Sequence, residues 1–206
     1  MAGKEKKKKS KGKGKGPAFE RLISKTLSAW WSGGEREDIF WRSTTSGARS
    51  TVRQKQGKTT FGQSADITAQ DPIGQPLLDV MILELKKGYA RASVADIIDK
   101  PTRMNSREIE QWIVKVDQEA KENQTCGWGL IHRRPQREIM IYLPLRLVRL
   151  LSNAGSPLNK VVPRTLFTLS PEWTSVGSVW ACPLFTFLQS VKPSHIRKAL
   201  TQGKSK

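Results

Sequence analysis

Residues 80–89, Val-Met-Ile-Leu-Glu-Leu-Lys-Lys-Gly-Tyr, constrain this chain more than any other stretch. The run opens as an apolar strand and ends with Glu84 and Lys86 inserted among its leucines. Alternate side chains of a strand share a face, about 6.7 Å apart. Val80, Ile82, Glu84 and Lys86 therefore line one face, and Met81, Leu83 and Leu85 line the other. The second face is apolar throughout and reads as buried. The first ends as a carboxylate beside an ammonium, which is costly in an interior unless paired, solvated or bound to a metal. Asp66 lies eighteen residues before Glu84, on the strand-like run Ser64–Thr68. Between the runs sits Asp71-Pro72-Ile73-Gly74-Gln75-Pro76, a turn-forming cluster. A hairpin is the expectation, with Asp66 brought alongside Glu84 and Lys86. The plain alternative is an ion pair at a solvated strand end.

The 206 residues suit one domain with a tail. Of the formal charge of +18, the tail 1–16 supplies +7 through eight lysines and one glutamate. The other residues still carry +11, and a body that basic favours a polyanion, most often nucleic acid. The tail has no apolar residue after Ala2 and cannot fold alone. It is either an arm that touches phosphates or a solubilising segment. Cys126 and Cys182 match no metal-ligand spacing, so a reduced, cytoplasmic protein is expected. No apolar run approaches a membrane span, and no apolar segment follows the basic N-terminus as a secretory signal requires.

Along the body, Pro17 opens a helix whose Phe19, Leu22, Ile23, Leu27, Trp30 and Trp31 recur at helical spacing, ended by Gly33-Gly34. Ile39–Arg42 is a short strand leading to a hydroxyl-rich loop, Ser43–Arg49. Ser106 is a candidate N-cap for a long helix with Ile109, Trp112, Ile113, Val116 and Ala120 on its apolar stripe. Cys126–His132 and Arg137–Pro144 form a second hairpin around Arg133-Arg134-Pro135-Gln136. A basic, leucine-rich helix follows at Leu145–Asn153, then extended segments at Arg164–Leu169 and Ser178–Ala181, then a final basic helix at Ser194–Leu200. The division is a basic tail 1–16, a core 17–145 and an extension 146–206 packed on the core to cover a sheet edge or face.

The order helix, three strands, helix, two strands, with Asp66 on the second strand and Glu84-Leu85-Lys86 on the third, resembles the PD-(D/E)XK nuclease superfamily. It is most similar to the Holliday-junction-resolvase-like and phage-encoded branches, through Arg42–Gly47, Glu84–Tyr89 and Glu110-Gln111-Trp112. Ala65 stands where the motif's name expects proline. The resemblance implies an α/β, restriction-endonuclease-like αβββαβ core with a mixed central sheet and a C-terminal extension. It implies a metal-dependent DNA endonuclease, with branched DNA as one candidate substrate and a homodimer as one candidate assembly. Mg²⁺, or Mn²⁺, would be held by Asp66, Glu84 and the Leu85 carbonyl, with Lys86 beside the attacking water. Gln111, Ser46 and Glu20 are further catalytic candidates, Glu20 having a simpler role near the helix start, where its charge suits the dipole. Arg42, Arg49, Arg53, Lys87, His132, Arg133 and Arg134 are candidates for gripping DNA; an exposed basic surface is their alternative. The competing function is a non-catalytic DNA-binding protein derived from a nuclease fold.

Overall fold

The computed structural model of the chain describes residues 15–43, 65–99 and 108–203. Ser46, Arg49, Arg53, the proposed cap Ser106 and the tail 1–14 lie outside the described residues. Helix α1 spans Lys15–Ser32. Its Phe19, Ile23, Leu27 and Trp31 recur every fourth residue and are buried. The helix stops where Gly33 and Gly34 turn left-handed, with φ of 71° and 100°, and the Gly34 N–H donates to Ala29 O at 2.7 Å.

Strand β1 (Phe40–Arg42) pairs antiparallel with β2 (Ile67–Ala69) in a two-stranded sheet. The chain then makes a 3₁₀ turn at Pro72–Gly74, capped by Asp71 accepting from the Ile73 N–H, and runs straight into helix α2, Gln75–Val80. Strand β3 (Met81–Lys87), the short helix α3 (Ala95–Asp99), the long helix α4 (Glu108–Glu122) and strand β4 (Gly127–Arg133) follow. β5 is Ile139–Pro144, α5 Leu145–Asn153, β6 Thr165–Thr168, β7 Ser178–Pro183, α6 Leu184–Ser190 and α7 Pro193–Gly203. Among the described residues the main sheet has five strands in the order β3-β4-β5-β7-β6. β3 and β4 are parallel and every other pair is antiparallel, so the sheet is mixed.

The alternation read in β3 sorts onto the two sides of this sheet. Met81, Leu83 and Leu85 join a core with Phe19, Ile23, Ile131 and the C-terminal helices. Ile82 joins a second core with Trp128, Leu130 and the buried stripe Ile109, Ile113, Val116 and Ala120 of α4. Each fully buried aliphatic side chain contributes about 1.5–3 kcal/mol, so these two layers fix the strand's register against a one-residue slip. Residues 146–206 supply two of the five strands, and Trp180, Cys182 and Leu184 belong to the same core as α1.

Three expectations need correction. β2 pairs with β1, not with β3 in a hairpin; between β2 and β3 runs a single main-chain bond, Asp66 N–H to Leu83 O at 3.2 Å. Asp66 consequently sits just before β2 rather than within a strand. The reason lies in Asp71–Pro76: proline suits the first helical position as well as it suits a turn, and here both prolines start helices. Val80 is thereby the last residue of α2 and not part of the strand.

Candidate active site

β3 is an edge strand, and its open edge is where Asp66 arrives. The Asp66 backbone is clamped on both sides, its C=O accepting from the Ser43 N–H at 2.8 Å and its N–H donating to Leu83 O. Its carboxylate accepts from the Leu85 N–H at 2.8 Å. A strand residue's N–H and C=O point to the same edge, so the Leu85 carbonyl lies on Asp66's side of β3. Glu84 points instead to the sheet face that α4 covers, and is only 5% exposed. A buried carboxylate needs partners. Glu84 Oε1 accepts from Lys86 Nζ, and Lys115 Nζ of α4 lies 3.9 Å from the same oxygen.

Electrostatics ties these groups together. Burial, then the charge of Glu84, pushes the Asp66 carboxyl up to about 6, against the pull of the Leu85 N–H and Lys86; Glu20 adds to the rise. Glu20 itself lies 3.8 Å from Arg42 on β1. On α4, Lys115 Nζ is 3.4 Å from Glu119 Oε1. Burial pushes Glu119 up to about 7; Lys115 opposes this, and the charges of Glu84 and Asp66 reinforce it. Lys115 is held above its usual range, because Glu84 and Glu119 outweigh its own burial. Glu119 Oε2 is buried without a hydrogen-bond partner among the described residues. Four carboxylates and two lysines thus share one field.

Such a cluster has excess negative charge and hard oxygen donors, the chemistry a small divalent cation takes. Asp66, Glu84 and the Leu85 carbonyl fit that role by type, and Asp66 and the Leu85 carbonyl share the open edge of β3. Among the described residues no three His, Cys, Asp or Glu side chains are grouped tightly enough to hold a metal by themselves. A set of two carboxylates and one carbonyl differs from such a group, and Mg²⁺ retains waters in place of further protein ligands.

A family model described as "Phage putative PDDEXK endonuclease" matches residues 9–198. The chain belongs to that family. The match runs through α5, β6, β7 and most of α7, well past Leu145, so the C-terminal elements are part of the family pattern. No curated protein and no solved structure matches the chain. PD-(D/E)XK nucleases generally use divalent metal ions, and the mixed sheet flanked by helices is the restriction-endonuclease-like architecture. No described helix is long and apolar enough to cross a membrane.

The remaining predicted residues of this PD-(D/E)XK chain fall in different places. Gln111 is exposed, one helical turn before Lys115. Glu110, predicted beside it, is buried on another side of α4, where Oε1 accepts from the Ser170 N–H at 2.8 Å. Lys87 lies on the α1 side, its ammonium 5.8 Å from the centre of the Phe19 ring. His132 corrects the picture of an exposed basic turn: it is 3% exposed, packs edge-on against Trp112, and burial pushes it down to about 4. A buried neutral ring does not grip a phosphate backbone. Arg133 and Arg134 remain half-buried at the surface. Lys115 and Glu119 were missed; their i,i+4 spacing was visible, but which way that face of α4 points was not.

Proposed function

We propose that the chain is a divalent-metal-dependent DNA endonuclease that hydrolyses phosphodiester bonds at the open edge of β3. The observation that carries this is the meeting of Asp66 and Glu84 in one electrostatic field with Lys86 bonded to Glu84. Family membership and the charge of +18 support it independently. Mg²⁺, or Mn²⁺, when bound, supplies Lewis acidity toward the phosphate and lowers the pKa of a water. Asp66, Glu84 and the Leu85 carbonyl would hold it. The Leu85 N–H fixes the Asp66 carboxylate in place. Lys86 supplies positive charge where the attacking oxygen and the phosphate gain negative charge. Lys115 limits the repulsion between Glu84 and Glu119. Arg42, Arg133 and Arg134, together with Arg49 and Arg53, position the DNA backbone. Glu20 and Gln111 take supporting polar roles, and Ser46 stays a catalytic candidate by its place in the sequence motif.

Branched DNA is the substrate class we favour, and a homodimer follows from it, because symmetric cutting of two strands needs two sites. Plasmid nicking tests the reaction. Wild type nicks in Mg²⁺ and stops on addition of chelator, and Lys86→Ala is inactive. DNA binding without cleavage in any divalent metal would instead support a nuclease fold kept only for binding. Four-way junction, flap and linear duplex compared at one salt concentration, with sedimentation of the free protein, test substrate and assembly.

A further inference from the structure

Beside Lys86 is an aromatic pair that the hydrolytic site does not use. Gly88 and Tyr89 both have positive φ, 96° and 48°. For a residue as bulky as tyrosine this backbone is rare, and such outliers concentrate where a side chain must be aimed. Here the two residues turn the chain off the end of β3, and the Gly88 N–H bonds to Arg133 O at 3.0 Å. The turn lays the Tyr89 ring against Trp112 of α4, centroids 4.8 Å apart and planes at 67°. Trp112 is held from below by the buried His132 ring, 5.2 Å away, and lies 5.9 Å from Lys86 Nζ. Tyr89 is nevertheless 48% exposed, so this rigidly backed ring keeps an open surface. Its surroundings are cationic. Lys86 is within reach of the pair, Arg133 is at the turn, and beyond His132 a cleft of about 310 Å³ is lined by Arg134 and Arg137 against a single carboxylate, Glu138.

We propose that Tyr89, backed by Trp112, is a stacking platform for one unpaired nucleobase next to the scissile phosphate. An exposed aromatic surface among cations matches a ligand with a π-face and a polyanionic backbone, and both belong to a nucleotide. A base within a duplex already stacks on its neighbours and offers no free face to Tyr89. The platform therefore selects DNA that is locally unpaired: a gap, a flap, a frayed end or an opened base at a branch point. This rests on the endonuclease reading and narrows its substrate class.

The test is binding of the full chain, in chelator so that nothing is cut, to a single-stranded 12-mer and to a blunt duplex of equal length. Tyr89→Ala loses about tenfold or more in single-strand affinity, within the range for one stacked base, and changes duplex affinity less than twofold. Tyr89→Phe keeps the ring and keeps the affinity, which separates stacking from loss of fold. A 12-mer with one abasic nucleotide placed along its length weakens wild type at one position and leaves Tyr89→Ala indifferent to position. Equal losses on both DNAs, no loss on either, or no single-strand binding by wild type would overturn the platform. Because the measurement needs no cleavage, its failure is distinguishable from failure of the Mg²⁺ nicking assay.

Discussion

Lys86 is bonded to Glu84 on its own strand and its charge also acts on Asp66, which sets what its removal should do. Lys86→Ala takes away a charge aimed at the phosphate, so nicking should fall by about 10²-fold or more. DNA affinity measured in chelator should change little, because one lysine among 36 basic side chains adds only a small part of the electrostatic attraction. Asp66 permits a test on the metal-free protein. Its folded-state value of about 6 lies above its ordinary 3.8, so the folded chain binds this proton more tightly than the unfolded chain. The resulting stability is fully present below about pH 3.8 and is lost as pH rises through about 6. Asp66→Asn removes the titration and can still accept the Leu85 N–H. It should be more stable than wild type at pH 8 and equal to it near pH 4, read from urea midpoints without metal. A difference independent of pH would contradict the burial and charge assigned to this carboxyl.

Helix α4 is the element that both closes the site and is locked to the rest of the fold. Its Asp117, 1% exposed, accepts from Trp128 Nε1 of β4 at 2.8 Å, from Arg146 of α5 at 2.6 Å and from Lys121 one turn on at 2.7 Å. Arg146 also donates to Val176 O, which extends the clamp to the turn before β7. Asp117→Ala would leave the buried indole N–H without its acceptor and the guanidinium with Val176 O and solvent alone, at a cost of about 2–3 kcal/mol. Chemical denaturation checks this. Because Asp117 is far from Asp66 in role, residual activity per folded molecule should be retained. At the β1 end, Gly74 is buried where a Cβ would come within 2.8 Å of both Ile39 and the Phe40 ring. Gly74→Ala should cost about 1–3 kcal/mol by overpacking, although a turn of this composition would tolerate alanine if it were exposed.

Across the whole molecule, charge and sheet continuity make separate demands. A chain of +18 that neutralises several phosphates should lose about 10³-fold in duplex affinity between 50 and 200 mM salt in chelator, measured by anisotropy. A flat salt dependence would exclude nucleic acid as the partner. The sheet passes without a break from β3 to β6, and β7 lies between β5 and β6. Truncation after Leu145 would expose the edge of β5 and remove Trp180, Cys182 and Leu184 from the core. The truncated chain should melt without a cooperative transition by circular dichroism.

Local chemistry written along the chain settled the apolar faces of α1, α4 and β3 and the β4–β5 hairpin, and it singled out Glu84 and Lys86 as charges set into an apolar strand. Each of these depends on periodicity or on residue type over a few positions, which is information a sequence carries directly. Tertiary structure decided the rest. Asp71–Pro76 has the same composition whether it turns or starts a helix, so only packing separates a β2–β3 hairpin from a β1–β2 pair. Helical spacing tells that Lys115 and Glu119 share a face, and also that Gln111 shares it, but not that Glu84 lies opposite. Tyr89 meets Trp112, and Trp112 meets His132, only because α4 crosses the β3–β4 pair at that height. Contacts between segments far apart in sequence depend on how whole faces pack together, and no local pattern along this chain encodes that.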